Sequence, residues 1–381
     1  MQPFSFLTAG QISFGRGAAD TAHEAVEEFG PRVLLVRGSS VSWADGFCER
    51  LRHVGCKVVV HIASGEPTVQ SVTEAVTAGR RGEVTSVVAV GGGSVMDLGK
   101  AAAALIPGTR GIMDHLEGVG QGALLSHAPL PMVAIPTTAG TGAEVTKNAV
   151  IGVPEAGRKV SLRDDRMLPR LAIVDPSLTD NAPRGITLAS GLDAITQVIE
   201  PYLSRRANPL TDALCAQAIP MGLRALLTLL NGEDAEARDQ MAYTSLMGGL
   251  ALANAGLGAV HGFAGVIGGR FDAPHGALCG RLLPPVLTEN RAALADAGKD
   301  LGRMERVEAW SGEALGVARA DAVAALADRL DTEDLPRLAD WMGDAPDLSA
   351  VTRDAAGASS MKANPVVLTD TALHWILQAA M

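Results

Sequence analysis

An α/β domain built on a buried parallel sheet, followed by an all-helical domain, is the architecture this sequence predicts. Three observations carry it. Between residues 32 and 175 short β-branched runs alternate with amphipathic helical patterns. After Asp175 the alternation stops and only helical periods follow. The 381 residues also exceed what one hydrophobic core usually supports. The boundary is expected near residue 178, in "DPSLTDNAPRG", giving domains 1–178 and 179–381 with the functional cleft between them, where ligand sites tend to form.

The predicted strands are "RVLLV" (32–36), "KVVVHI" (57–62), "SVVAV" (86–90), "MVAIP" (132–136) and "LAIVD" (171–175). Their continuous apolar character fits strands covered on both faces, and the amphipathic stretches 43–54 and 68–79 supply helices to cover them. In the second half, helical periods are expected from 187 onward, including 211–230, 236–255, 277–290, 312–330 and 369–380.

Composition narrows the function classes. An apolar share of 47% with 43 glycines and 20 prolines suits a globular chain with tight loops. A formal charge of -10 argues against polyanion binding, and the pairs Arg80-Arg81 and Arg205-Arg206 are too short for a nucleic-acid stripe. Cys48, Cys56, Cys215 and Cys279 form no C-x-x-C pair, so neither a disulfide framework nor a zinc knuckle is indicated and a reducing cytoplasm fits. The start "MQPFSFLTAGQISFGRG" lacks a signal-peptide pattern, and no run approaches eighteen apolar residues, so a soluble protein with no membrane partner is expected.

"VVAVGGGSVMDLGKAAA" reads as a strand, three glycines and a helix that Ser94 would open, with Asp97 three residues on as a capping partner. Gly92 and Gly93 allow a ligand close to the backbone, and a helix N-terminus offers unpaired N–H groups and a positive dipole end to a pyrophosphate. The loop is neither G-x-G-x-x-G nor a P-loop, and a ligand-free tight turn would need the same glycines. "IPTTAGTGAEVT" (135–146) adds the hydroxyls of Thr137, Thr138, Thr141 and Thr146 directly after another strand.

"SGLDAITQVIE" places Asp193 and Gln197 four apart, on one helical face, with Glu200 beyond. A capping box from Ser190 to Asp193 would explain the acid without chemistry. His261 lies among small residues in "GLGAVHGFAGVIGG", and His275 follows a proline in "APHGALCG" at the expected start of the next helix. Either histidine alone reads as structural. With Asp193 they make a carboxylate and two imidazoles from three helices, an open donor set for a divalent transition metal, with Gln197 as fourth neighbour.

These motifs, "GGGSVMDLGKA", "IPTTAGTGAEVT", "IVDPSLT", "SGLDAITQVIE", "GLGAVHGF", "APHGALC" and "SSMKANPVVLT", occur in order along nearly the whole chain. The sequence thereby resembles the iron-containing, group III alcohol dehydrogenase family, whose fold is dehydroquinate synthase-like with a Rossmann-like first domain. The resemblance implies NAD(P)-linked interconversion of a small alcohol and its aldehyde or ketone. It implies pyrophosphate on Gly92, Gly93 and Ser94, with Thr137, Thr138, Thr146, Lys159 and Leu178 around the cofactor. Asp193, His261 and His275 match metal-ligand and catalytic positions, for Fe(II) or Zn(II).

Two positions depart from the family pattern. The usual D-x-x-x-H is Asp193-x-x-x-Gln197, and Gly265 stands where metal-dependent members often carry another histidine. An amide oxygen is a weaker ligand than imidazole and cannot act as a general base, so the metal is expected to be weakly bound or absent. Family members preferring NAD often carry an aspartate where this chain has Gly38; with Arg37, Ser39 and Ser40 beside it, a 2′-phosphate should be tolerated. Two other readings stand beside the first: a metal-independent reductase of an activated oxo acid, similar to maleylacetate reductases, and a nucleotide-binding protein without turnover. The substrate is left open, as is the oligomer, for which a homodimer is the candidate.

Overall fold

The computed structural model describes residues 3–343 and 345–381. Leu7–Asn181 form one compact unit, and Ala182–Met381 form the other together with the described residues before Leu7.

The first unit contains β1 (Ile12–Phe14), α1 (Ala22–Glu27), β2 (Arg32–Gly38), α2 (Trp43–His53), β3 (Lys57–Ala63), α3 (Val69–Arg81), β4 (Ser86–Gly91), α4 (Gly93–Leu105), α5 (Ile112–His115), β5 (Met132–Pro136), β6 (Asn148–Val153), β7 (Arg158–Arg163) and β8 (Leu171–Val174). Six strands form a sheet in the order β1-β8-β5-β4-β2-β3, every pair parallel. Alternate residues feed opposite cores: Leu34, Val36, Val87 and Ala89 pack on one side, Val33, Leu35, Val88 and Val90 on the other. This two-sided burial is why the strands read as unbroken apolar runs. The chain passes from β2 to β3 on one side and then crosses to β4 on the other, so the sheet's topological switch point lies between the C-terminal ends of β2 and β4.

Three strands of this unit went unread in the sequence. β1 is three residues long, and β6 and β7 form a separate antiparallel hairpin turning at Gly157, whose φ of 57° suits glycine. Lys100, fully buried in α4, ties this hairpin down: its ammonium reaches Asp97 Oδ1 at 2.9 Å, donates to Thr146 Oγ1 at 2.8 Å and also donates to the Asn148 carbonyl. Asp97 accepts the Val150 N–H at 2.8 Å. The expected Ser94–Asp97 cap is therefore corrected, because Gly92 is the N-cap of α4 and Asp97 is spent on β6.

The second unit is helical: α6 (Arg184–Leu203), α7 (Pro209–Asn231), α8 (Ala235–Ala255), α9 (Ala259–Phe271), α10 (His275–Asp296), α11 (Gly302–Leu315), α12 (Ala322–Thr332), α13 (Leu338–Met342), α14 (Leu348–Ala356) and α15 (Asp370–Ala380). The helix expected over 312–330 is broken, since Gly316 ends α11 in the left-handed region at φ 72° and a 3-10 turn precedes α12. The capping box expected from Ser190 to Asp193 is also absent. α6 begins at Arg184, and Ser190, in mid-helix, donates instead to the Ile186 carbonyl at 2.7 Å. Asp193 is thereby released from a structural duty. Among the described residues α7 alone is long and apolar enough to cross a membrane by itself, and half of its apolar window is buried where it packs on α6 and α8.

α6 is the axis of this unit, with α7, α8 and α10 packed against it. Its approach to α10 is tight where α10 carries glycine: a Cβ at Gly276 would fall 2.2 Å from the Ala189 carbonyl oxygen, and one at Gly280 2.4 Å from Leu192 Cδ1. A backbone carbonyl cannot swing aside as a side chain can. Gly276→Ala should therefore destabilise the protein by about 1–3 kcal/mol through overpacking, read as a lowered urea midpoint; an unchanged midpoint would show that α10 is not pressed onto α6.

Glu144 gives a second expectation. Its carboxyl is buried in the turn after β5, and burial pushes its pKa up from 4.5 to about 7, against the opposing effects of its own backbone N–H and of Lys100. A carboxyl raised in the folded state contributes stability fully present below its unfolded value and lost as pH rises through the folded value. The loss therefore falls between about pH 4.5 and 7. Glu144→Gln, which cannot ionise, should gain in melting temperature relative to wild type across that window; parallel melting profiles would refute the assignment.

Candidate functional site

The two loops singled out in the first unit meet at the switch point. β2 and β4 are neighbours with Arg37 opposite Val90, so Gly38 and the Gly91–Gly93 turn leave the sheet side by side. Thr137 donates its N–H to the Gly91 carbonyl at 2.9 Å. A Cβ on Gly92 would lie 3.3 Å from Thr138 Oγ1, and one on Gly93 2.7 Å from Thr141 Oγ1. Gly38, Gly92, Gly93, Thr137, Thr138 and Thr141 thus share one edge, with Ser94 in the first turn of α4 and Ser39 exposed beyond β2. The opening of α4 makes no side-chain cap hydrogen bond, so its first N–H groups face this edge as backbone donors.

The remaining residues expected around a cofactor are held by other partners. Thr146 is buried and accepts from Lys100, Asp97 is bonded to β6, and Lys159 pairs with Glu66. Leu178 packs on the core under α1 and α2, in a turn capped by Asp175, whose carboxylate also accepts the Ala19 N–H at 3.1 Å. Arg37 is committed inward: it pairs with Asp45 and donates to the carbonyls of Val41 at 3.1 Å and Gly38 at 3.2 Å. Its guanidinium therefore braces the turn after β2, leaving Ser39 and Ser40 as the exposed donors there.

In the second unit α6, α9 and α10 bring Asp193, His261 and His275 together, as their order in the sequence suggests. Asp193 Oδ1 lies 3.4 Å from His261 Nε2 and 3.9 Å from His275 Nε2, and the two rings stand 5.4 Å apart. Glu200, one turn beyond Gln197, supports the group. Its carboxylate accepts from His261 Nδ1 at 2.7 Å and from the Val260 N–H at 2.7 Å. The approach needs Gly258, where a Cβ would come within 2.8 Å of Glu200 Oε1. With Nδ1 engaged, Nε2 is the nitrogen His261 turns toward Asp193.

Cys279 is the residue that the sequence analysis passed over. One turn after His275 on α10, its sulfur lies 3.7 Å from Nε2 of both His261 and His275. One donor atom from each of Asp193, His261, His275 and Cys279 falls within 4.8 Å of every other. The signal was present as the four-residue spacing from His275, which puts both on one helical face. Gln197 is buried on α6, its amide nitrogen beside Gly248 of α8. At Gly265 an added Cβ would meet no atom within 4 Å, so the position of the missing histidine is open.

The group is built to receive positive charge. Burial disfavours an ionised Asp193, but the imidazoles of His261 and His275 outweigh it and hold the carboxyl below its ordinary range. Burial likewise opposes a charged His261, yet Cys279, Asp193 and Glu200 raise it well above 6.5. His275 is pushed up to about 9, chiefly by the neighbouring Cys279 and against the opposing effect of burial. Asp193 Oδ1 is buried without a hydrogen-bond partner among the described residues. An orphaned anionic oxygen beside two imidazoles and a sulfur fits a divalent cation.

Comparison with known proteins shows the family. The family model described as "Iron-containing alcohol dehydrogenase" matches residues 9–176, and that described as "Fe-containing alcohol dehydrogenase family, C-terminal" matches 187–381. Long-chain-alcohol dehydrogenase 1 of Geobacillus thermodenitrificans is 37% identical over 279 residues, covering 72% of this chain and 70% of that protein. The crystal structure of a 1,3-propanediol oxidoreductase superimposes with a TM-score of 0.89 at 30% identity, covering 100% of both chains. A sulfoacetaldehyde reductase from Bifidobacterium kashiwanohense, solved in complex with NAD+, gives 0.85 at 27% identity, covering 100% of this chain and 99% of that one. From motif order, fold and full-length match together, the chain belongs to the iron-containing alcohol dehydrogenase family, oxidoreductases acting on CH–OH groups.

Proposed function

We propose that this protein interconverts a small alcohol and its aldehyde or ketone by hydride transfer to and from a nicotinamide dinucleotide, with a divalent metal held by Asp193, His261 and His275. The observation that carries the reading is the convergence of those three side chains from α6, α9 and α10, Asp193 and His261 buried and His275 part-exposed, around a carboxylate oxygen with no hydrogen-bond partner among the described residues. A cation bound there supplies Lewis-acid polarisation of the alcohol or carbonyl oxygen. Asp193 contributes the compensating negative charge, and Glu200 fixes the ring of His261 so that its Nε2 keeps one direction. Neither Gln197 nor Gly265 can take a proton near neutral pH, so the alcohol proton has no imidazole acceptor at those two positions.

The dinucleotide is assigned to the edge of the first unit, with its pyrophosphate on the backbone N–H groups of Gly92, Gly93 and Ser94 and its flanks near Gly38, Ser39, Thr138 and Thr141. Thr137, Thr146, Asp97, Lys159 and Leu178 shape the surrounding loops. The defining experiment screens NADH and NADPH oxidation against short aldehydes, ketones and oxo acids. Turnover with aldehydes or ketones is expected; dinucleotide binding with no turnover on any carbonyl would overturn the reading.

Two further outcomes follow. A side chain at Gly93 must displace Thr141 and occupy the path of the pyrophosphate, so Gly93→Val should weaken NAD(P)H binding by at least tenfold, about 1.4 kcal/mol. Unchanged affinity in a fluorescence titration would remove the pyrophosphate from this turn. Because Gly38 carries no acid to repel a 2′-phosphate and Ser39 and Ser40 are exposed donors, NADPH should bind at least as well as NADH. A preference for NADH beyond about tenfold would contradict this.

A further inference from the structure

We propose that Cys279 is a metal ligand in this chain and supplies, from α10, the fourth strong donor that Gln197 does not provide from α6. The proposal rests on reading the cluster as the family's metal site, and deepens it by assigning a sulfur donor and hence a preference for zinc over iron. It also revises the expectation of a weakened site, which counted Gln197 as the fourth donor and overlooked the sulfur.

Four observations support it. A tetrahedral ion with metal–nitrogen bonds of about 2.0 Å and metal–sulfur bonds of about 2.3 Å has donor–donor edges of about 3.3–3.5 Å. Of the six edges, four are 3.4 Å from Asp193 Oδ1 to His261 Nε2, 3.9 Å to His275 Nε2, and 3.7 Å from Cys279 Sγ to each imidazole, and one donor atom from each residue lies within 4.8 Å of every other. Small inward movements would close them on one ion. Second, His261 is held by Glu200 through Nδ1, which leaves Nε2, the nitrogen facing Cys279, for coordination. Third, Asp193 Oδ1 is buried without a hydrogen-bond partner among the described residues. Fourth, Gly276 and Gly280 press α10 onto α6, so the sulfur is carried to within reach of the Asp193 carboxylate by backbone packing rather than by a flexible side chain.

A buried cysteine is ordinarily a small apolar filler, and Cys215 on α7 is one: burial pushes its thiol far up. Cys279 differs because its sulfur lies against two imidazole nitrogens and close to a carboxylate. Thiolate and imidazole together suit zinc, which also stands above iron(II) in the general order of affinities. Zinc with four protein donors can still accept a substrate oxygen by expanding to five.

The test reads the metal directly. Wild-type protein purified without chelator should retain zinc, and zinc-edge X-ray absorption should show one sulfur neighbour at about 2.3 Å. After exchange into cobalt(II), it should show a thiolate-to-cobalt charge-transfer band in the near ultraviolet. Cys279→Ser should lose that band and bind zinc at least tenfold more weakly, whereas Cys48→Ser should change neither. Gln197→His in the Cys279→Ser background should recover retention of the metal without recovering the band. Metal bound by wild type with no sulfur neighbour, or unchanged in Cys279→Ser, would overturn the role of Cys279 and leave the metal site standing. No affinity of wild type for zinc, cobalt or iron would overturn both. The absorption measurement needs no variant, so a misfolded Cys279→Ser protein would not shield the proposal.

Discussion

The helical unit depends on the contact between α6 and α10 at Gly276 and Gly280. Hydrogen atoms there let the two backbones approach until a Cβ would strike the Ala189 carbonyl and Leu192. Each glycine directly follows a chemistry-bearing residue, so the packing that seats Gly276 and Gly280 on α6 also delivers His275 and Cys279 to Asp193 one helical turn apart. Gly258 repeats the device at the start of α9, where absence of a side chain admits the Glu200 carboxylate to His261 and Val260. Three small residues therefore set the positions of the large polar ones.

The two candidate sites use different materials for a physical reason. A pyrophosphate is diffuse and anionic, and a helix N-terminus with glycines can meet it using backbone alone. A metal ion is a point charge that requires directed lone pairs, which side chains from three separate helices provide. Burying those side chains carries a cost, since Asp193 and Glu200 lie away from water; the imidazole of His261, set between the two carboxylates, offsets it. The first unit solves a similar problem at Lys100, whose buried ammonium is surrounded by Asp97, Thr146 and the Asn148 carbonyl.

Membership of the family explains the shared frame, and the departures identify what belongs to this chain. Gln197 and Gly265 stand where the expected pattern has an imidazole, and Cys279 brings a sulfur to the cluster from the facing helix. Read together, these changes alter the chemical hardness of the donor set while leaving the carboxylate and both remaining imidazoles where the fold places them.

The sequence by itself determined the strand-and-helix alternation, the switch to an all-helical second half, the glycine turn after β4, and Asp193, His261 and His275 as a group, because each is written in local periodicity or in short motifs. It misread what depends on partners far along the chain. Ser94–Asp97 and Ser190–Asp193 have the spacing of caps, yet neither serves as one: Asp97 is claimed by Val150 on β6, and α6 starts earlier, at Arg184. Arg37 reads as a free donor, but the fold turns it onto Asp45 and Val41. Cys279 carried only the four-residue spacing from His275 as a signal, and an apolar helix around a cysteine usually means a filler. Only the tertiary structure placed its sulfur between two imidazoles, because that position is set by the crossing of α6, α9 and α10, and a crossing is decided by which backbones can touch.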